Sequence, residues 1–178
     1  MHSGVRLLSI EMNIRSERTG DIPEIYQLNS NAFDRNCEAK LVNVLRDRGE
    51  LAISLVALRD EIIVGHVAAS PIKVDGTEVA IVGIGPLAVM ESHRKQGIGA
   101  SLMEAAIKEL KNSCITAAVL LSNPEYYLRF GFLTASNFKL GNEYNATDAF
   151  MAMELQPKAL AAISGVVQYS PAFSLCDS

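Results

Sequence analysis

A mixed α/β fold, in which an antiparallel set of strands feeds a parallel pair, follows from three observations on this chain. Two helical patterns come first. Three segments rich in β-branched residues follow, two of them joined by Asp75-Gly76. A strand, an amphipathic helix and another strand then succeed one another. With 178 residues and 49% hydrophobic content, the chain is long enough for one domain, 1–178, with a sizeable core. Residues 1–11 read as a loose extension of it.

The elements are justified in order. In "TGDIPEIYQLNSNAF", Asp21 is placed as an N-cap with Glu24 three residues on, Pro23 in the first turn, and Ile22, Ile25 and Leu28 at helical spacing. "CEAKLVNVLRDRG" repeats the pattern with Leu41, Val42 and Leu45 and stops at Gly49. "LAISLVAL", "EIIVGHVAASPIKV" and "TEVAIVGIGPLAV" read as an antiparallel meander, with Asp75-Gly76 as its second turn. From Gly97 the period changes. Ile98, Leu102, Ala106 and Leu110 fall four apart beside Met103 and Ile107, while Ser101, Glu104, Lys108 and Lys111 take the other face. "ITAAVLLS" is then a buried strand, parallel to the one before the helix through a right-handed crossover. "PEYYLRFGF" reads as a short helix stopped by Gly131, and "DAFMAMEL" and "GVVQYS" as further strands.

Charge and cysteine usage exclude several classes. A net charge of −4 gives no basic surface for nucleic acid or an anionic membrane, so any anion must be held by a local device. No run of eighteen apolar residues and no convincing signal peptide appear, so the expectation is a soluble cytoplasmic protein. Cys37, Cys114 and Cys176 are odd in number, widely spaced and outside any C-x-x-C pattern, so they read as three reduced thiols with no disulfide and no metal site.

The local device stands in "ESHRKQGIGASLMEAAIKEL". Unpaired amides and the peptide dipoles make a helix start attractive to phosphate. Gly97 and Gly99 let a ligand approach the backbone, and Arg94 and Lys95 add charge and donors. The segment lacks the Gly-Lys-Ser/Thr ending of a nucleoside triphosphate loop. "GIGPLA" matches G-x-G-x-x-G/A, but Pro86 to Val89 remain strand-like and the helix begins only at Gly97, which disfavours a dinucleotide site.

These residues resemble the GNAT superfamily of acetyl-CoA-dependent N-acetyltransferases, whose signature Arg/Gln-x-x-Gly-x-Gly/Ala stands here as Arg94-Lys95-Gln96-Gly97-Ile98-Gly99. "NPEYYLRFGF" resembles the family's late motif, with Tyr127 four residues before Gly131. The wider pattern, from "MNIRSERTGDIPEIYQLNSNAF" through "GHVAASPI" to the C-terminal "SPAF", is similar to the YhbS-like branch. The resemblance implies a GNAT-like fold: a central mixed sheet of about seven strands flanked by about four helices, whose fourth and fifth strands splay to admit pantetheine. It further implies that Leu87, Ala88 and Val89 on the fourth strand, the loop from Arg94 through Lys95, Gln96, Gly97, Ile98 and Gly99 to Ala100, and Asn123 bind acetyl-CoA. The Arg94 side chain either joins that contact or braces the turn. Gly83, Gly85 and Pro86 are expected to interrupt regular pairing.

The chemistry implied is acetyl transfer from the thioester to a primary amine by direct attack in a ternary complex, with no metal. Tyr127 is the expected general acid, since a phenol is protonated at neutral pH and close to a thiol in acidity. An amide near Leu87 to Val89 is positioned for the thioester oxygen. Two residues stand for the base. Glu38 is either an acceptor-site carboxylate or a solvated residue at a helix start, and His66 either a proton acceptor or a hydrogen-bonded sheet histidine. Ordered water is a third route for the proton. The acceptor is a small-molecule or protein amine, and a homodimer is compatible with the sequence. The alternative function is a CoA or acyl-CoA sensor of the same fold.

Overall fold

The computed structural model describes residues 11–177, so the expected loose extension over 1–11 lies almost wholly outside the described residues. The order is β1 (Met12–Ser16), α1 (Ile22–Phe33), α2 (Cys37–Asp47), β2 (Ile53–Arg59), β3 (Ile62–Val74), β4 (Thr77–Val89), α3 (Ile98–Lys111), β5 (Ala117–Leu121), α4 (Pro124–Tyr127), β6 (Leu133–Thr134), β7 (Leu140–Asn142), β8 (Phe150–Glu154) and β9 (Gly165–Gln168). The strands form one mixed sheet in the order β1-β2-β3-β4-β5-β8-β6, and β9 pairs with β3 and β7 at its side. The mixed α/β class and the four α-helices agree with the sequence. Among the described residues the sheet has nine strands instead of about seven, because β1, β6 and β7, at five, two and three residues, are too short for a period to be read.

β1 to β4 are antiparallel neighbours, and β4 to β5 is the parallel step. The β3–β4 turn has Asp75 and Gly76 at φ +48° and +77°, both left-handed, as a tight two-residue hairpin requires. Asp21 departs from its expected role. Its carboxylate takes the Arg15 guanidinium at 2.6 Å and the Arg18 amide at 2.7 Å, so it fastens β1 to the turn ahead of α1 and makes no side-chain cap on that helix.

Side chains of adjacent strand residues point to opposite faces, which fixes the layers. At Gly65 an added β-carbon would press on Leu102 and Ile98 of α3. Next to it, His66 contacts Asn29 of α1. α3 and α1 therefore cover opposite faces. α3 buries Ile98, Leu102, Met103, Ala106 and Leu110 against Leu55, Val67 and Val82, and α1 buries Ile25 and Leu28 against Val56 and Ala88. Among the described residues, no helix is long and apolar enough to cross a membrane.

Candidate active site

The sheet opens beside β4. Parallel pairing with β5 runs Ile81–Ala117, Val82–Ala118 and Gly83–Val119 and then stops. From Ile84 onward β4 keeps β3 on one edge and has no strand on the other. A bulge sits at the same place. Val67 faces Leu87 and Ala69 faces Ile84, so Gly85 and Pro86, joined by a cis peptide, stand opposite the single residue Ala68 and β4 carries one extra residue. Gly83 behaves otherwise than expected, since it stays paired to both Ser70 and Val119. Its missing side chain makes room for a ring: a β-carbon there would lie 2.5 Å from Tyr169 Cε1.

Two cavities flank the unpaired stretch of β4 and share Phe33 and Leu87. The first, about 570 Å³, is lined by Leu87, Ala88 and Val89 of β4, by Arg94, Lys95, Gly97, Ile98, Gly99 and Ala100 of the loop and first turn of α3, and by Ala32, His93, Tyr126 and Arg129. No acidic side chain is in that lining. Lys95 and Gly97 hold φ at +60° and +81°, so the loop winds tightly into α3. The Ser101 amide closes the first helical turn on Gly97 O at 3.0 Å, and the amides ahead of it have no acceptor within the helix. A β-carbon at Gly97 would meet nothing within 4 Å, so the backbone there lies open to the cavity it lines. Basic groups, free amides and an uncovered glycine fit a diphosphate.

Not every expected residue joins this lining. Gln96 turns away, accepting a hydrogen bond from Arg59 Nη1 and donating to Ser92 O at 3.3 Å. Asn123 is also outside it; its Oδ1 caps α4 by accepting from the Glu125 amide at 3.1 Å. The Arg94 guanidinium donates to Val89 O at 3.3 Å and Ala32 O at 3.1 Å, so it ties the end of β4 to α1 and braces the turn. Arg129 was missed by the sequence reading. It stacks 4.3 Å over the Tyr126 ring, and a basic residue inside the aromatic run "YYLRFGF" was its only local signal.

The second cavity, about 380 Å³, lies where β4 and β5 part and is walled by Gly85, Pro86, Leu120, Tyr127, Glu38, Leu41 and the C-terminal Phe173, Cys176 and Asp177. Tyr127 is buried against Tyr126, Phe130 and Phe132, at ring separations of 5.0, 6.1 and 6.1 Å. Burial pushes its phenol above the ordinary range, and the Ser122 hydroxyl partly offsets this, so the proton is held firmly at neutral pH. Glu38 is also buried, but both its carboxylate oxygens accept from Arg35, at 2.5 to 3.2 Å. The guanidinium thus occupies both oxygens of that carboxylate and compensates its charge at the cavity wall.

His66 lines neither cavity. It is fully buried, with Nδ1 accepting from Asn29 at 3.1 Å and Nε2 donating to Ser54 at 2.9 Å. Ser54 in turn donates to Glu17, which Arg46 holds at 2.6 and 2.8 Å. Burial lowers His66 to about 4, so it stays neutral and structural. For Glu17, burial alone would raise the carboxyl, but Arg46 and Ser54 outweigh it and hold it below the ordinary range.

The expectation of three reduced thiols is overturned. Cys37, at the start of α2, and Cys176 form a disulfide with Cα atoms 5.2 Å apart, and Cys114 alone remains free and exposed. The two partners are 139 residues apart in sequence, and only the return of the C-terminal segment onto α2 brings them together. Both sulfurs and a Glu38 oxygen lie within 4.8 Å of one another. Sulfurs spent in a disulfide are not thiolate ligands, and Glu38 is already taken by Arg35.

Residues 13–135 match a family described as an acetyltransferase (GNAT) domain. The chain is 38% identical over 165 residues to the uncharacterized N-acetyltransferase YhbS of Escherichia coli K12, covering 92% of this chain and 99% of that protein. The structure of E. coli YhbS in complex with CoA superposes with a TM-score of 0.89 at 37% identity, over 93% of both chains. A GNAT family acetyltransferase of Brucella melitensis in complex with acetyl-CoA gives a TM-score of 0.79 at 31% identity, over 92% of this chain and 99% of that one. With an opened sheet edge, a left-handed glycine loop at its mouth and relatives that cover 92% or more of it, the chain belongs to the GNAT acetyltransferases and is an N-acetyltransferase of the YhbS-like branch.

Proposed function

We propose that this chain moves the acetyl group of acetyl-CoA to a primary amine by direct attack in a ternary complex. One observation carries the reading. β4 and β5 part beyond Gly83 and Val119, the Gly97 loop stands at one end of the gap and Tyr127 on its wall. The CoA and acetyl-CoA complexes of the two relatives support the donor.

The first cavity fits the donor's diphosphate. Backbone amides from Lys95 to Ala100 and the side chains of Lys95 and Arg129 hold the anion, while Arg94 keeps the loop against β4 and α1. The free edge from Ile84 to Val89 offers backbone groups to an extended polar arm, and Leu87, Ala88 and Val89 supply the apolar surface beside it. Acetyl-CoA, when bound, supplies a thioester carbon open to a neutral amine. Tyr127 then holds a proton for the departing sulfur, and burial keeps it protonated until the thiolate develops. Asp177 gives the second cavity a carboxylate among apolar and aromatic walls, which favours a cationic amine on arrival.

The test is a panel of amines with acetyl-CoA, followed by release of free thiol and by mass of the acetylated product. Amine-dependent release is expected. Tight CoA binding with no turnover on any amine would favour the sensor instead, and absence of CoA binding by calorimetry would remove both readings.

A further inference from the structure

We propose that the Cys37–Cys176 disulfide is a reversible redox modification site that sets the shape of the acceptor cavity. The proposal rests on the reading of that cavity as the amine site. Cys176 lines it, and Cys37 is bonded in sequence to Glu38, which does. Phe173 and Asp177 of the C-terminal segment line it too. The bond fastens the first residue of α2 to the last turn of the chain.

The restraints on that segment besides the bond are few. Among residues 170–177, Ala172 alone is buried, packed with Leu41 and Leu45 of α2 and the partly buried Phe173, whose ring lies 4.9 Å from that of Tyr169. Ser170 adds a part-buried hydrogen bond to Glu50 at 2.5 Å. One buried alanine, one partly buried ring and one hydrogen bond between side chains tie the segment to the rest of the fold, so breaking the covalent link removes a principal restraint. Both sulfurs are partly exposed and within reach of a small dithiol.

The exchange balances with a dithiol as reductant. Its thiolate attacks one sulfur of the pair, the S–S bond breaks, and the other sulfur leaves as thiolate and takes a proton. The reductant's second thiolate then attacks its own first sulfur in the mixed disulfide, and the remaining cysteine leaves as thiolate and takes a proton. Two electrons and two protons pass to the protein, and the reductant ends as a disulfide. The freed Cys37 thiol has a ready acceptor, Glu38 Oε2, 3.0 Å from its sulfur. Released residues 170–177 take Phe173 and Asp177 away from the acceptor cavity. The cavity at the Gly97 loop includes no residue of α2 or of that segment, so it is unaffected.

The signature is therefore a change at one substrate only. Protein prepared without reductant should titrate with one free thiol, Cys114, and with three after dithiothreitol and desalting. Reduction should raise KM for a small amine about tenfold, the worth of one lost aromatic wall contact, with Kd for CoA unchanged. It should also expose residues 170–177 to limited proteolysis. Cys176→Ser and Cys37→Ser should both match the reduced enzyme and ignore dithiothreitol. Three free thiols before reduction, or unchanged amine KM and unchanged tail protection after verified reduction, would overturn the proposal. Loss of the amine reading alone would show as no acetylated product in either state, while tail proteolysis still reported on the latch.

Discussion

Gly97 and Tyr127 carry the site at the scale of single residues, for different physical reasons. Gly97 sits at φ +81° with open space where a β-carbon would stand, so a side chain there costs twice: once in backbone strain and once by entering the anion's place. The two costs separate by substitution. Gly97→Ala should lose about 1 kcal/mol of stability in urea melts and bind CoA somewhat more weakly. Gly97→Leu should show a similar stability loss, but calorimetry should find CoA affinity reduced by well over a further tenfold. Equal affinities for the two variants would detach Gly97 from the diphosphate. Tyr127→Phe removes one oxygen from a packed ring. CoA binding should persist while kcat falls roughly ten- to ten-thousand-fold, within the range of lost acid catalysis. A variant with undiminished kcat would leave Tyr127 as packing for Tyr126, Phe130 and Phe132.

Elements act here through their interruptions. β4 is thirteen residues long, but only Val82 and Gly83 pair on both sides; the bulge at Gly85–Pro86 falls where β5 departs, and the second half becomes an open edge. Arg94 fixes that half by bridging Val89 and Ala32, so Arg94→Ala should weaken CoA binding by loosening the loop, and a change in loop hydrogen exchange should accompany the loss. Beneath the sheet, the chain Asn29–His66–Ser54–Glu17–Arg46 knits α1, α2, β2 and β3 together. His66 titrates at about 4 when folded and near 6.5 when free, so the unfolded chain binds more protons between those values. Stability is then complete above pH 6.5 and declines as pH falls toward 4, by about 2 kcal/mol between pH 7 and pH 5. Glu17, held below its ordinary range, adds to the decline only beneath that interval, where carboxylates protonate. Urea melts at the two pH values should show this slope, and His66→Gln should flatten it.

At the scale of the whole molecule, the covalent link between α2 and the C-terminus closes a loop of 139 residues. Its reduction should lower stability by about 2–4 kcal/mol, read as a shift in urea midpoint with and without dithiothreitol. This link was invisible in sequence, because cysteine counting and spacing say nothing about which distant segments meet. Local signals were informative wherever one element supplied all the needed residues. The period of α3, the Asp75-Gly76 turn, the glycine loop and the aromatic run before Gly131 all stand where the residue pattern placed them. Signals that needed a second element were lost or misdirected: Asp21 pairs with β1 instead of capping α1, and Gln96 answers Arg59. The sequence by itself determined the mixed α/β class, the glycine-led start of α3 and the position of Tyr127, because hydrophobic period, backbone freedom and motif spacing are local properties. Tertiary structure alone decided where β4 leaves β5, that His66 is walled into a neutral network, and that the chain's end returns to line the acceptor cavity. Each of those depends on contacts between residues dozens of positions apart, and such contacts exist only once the sheet has formed.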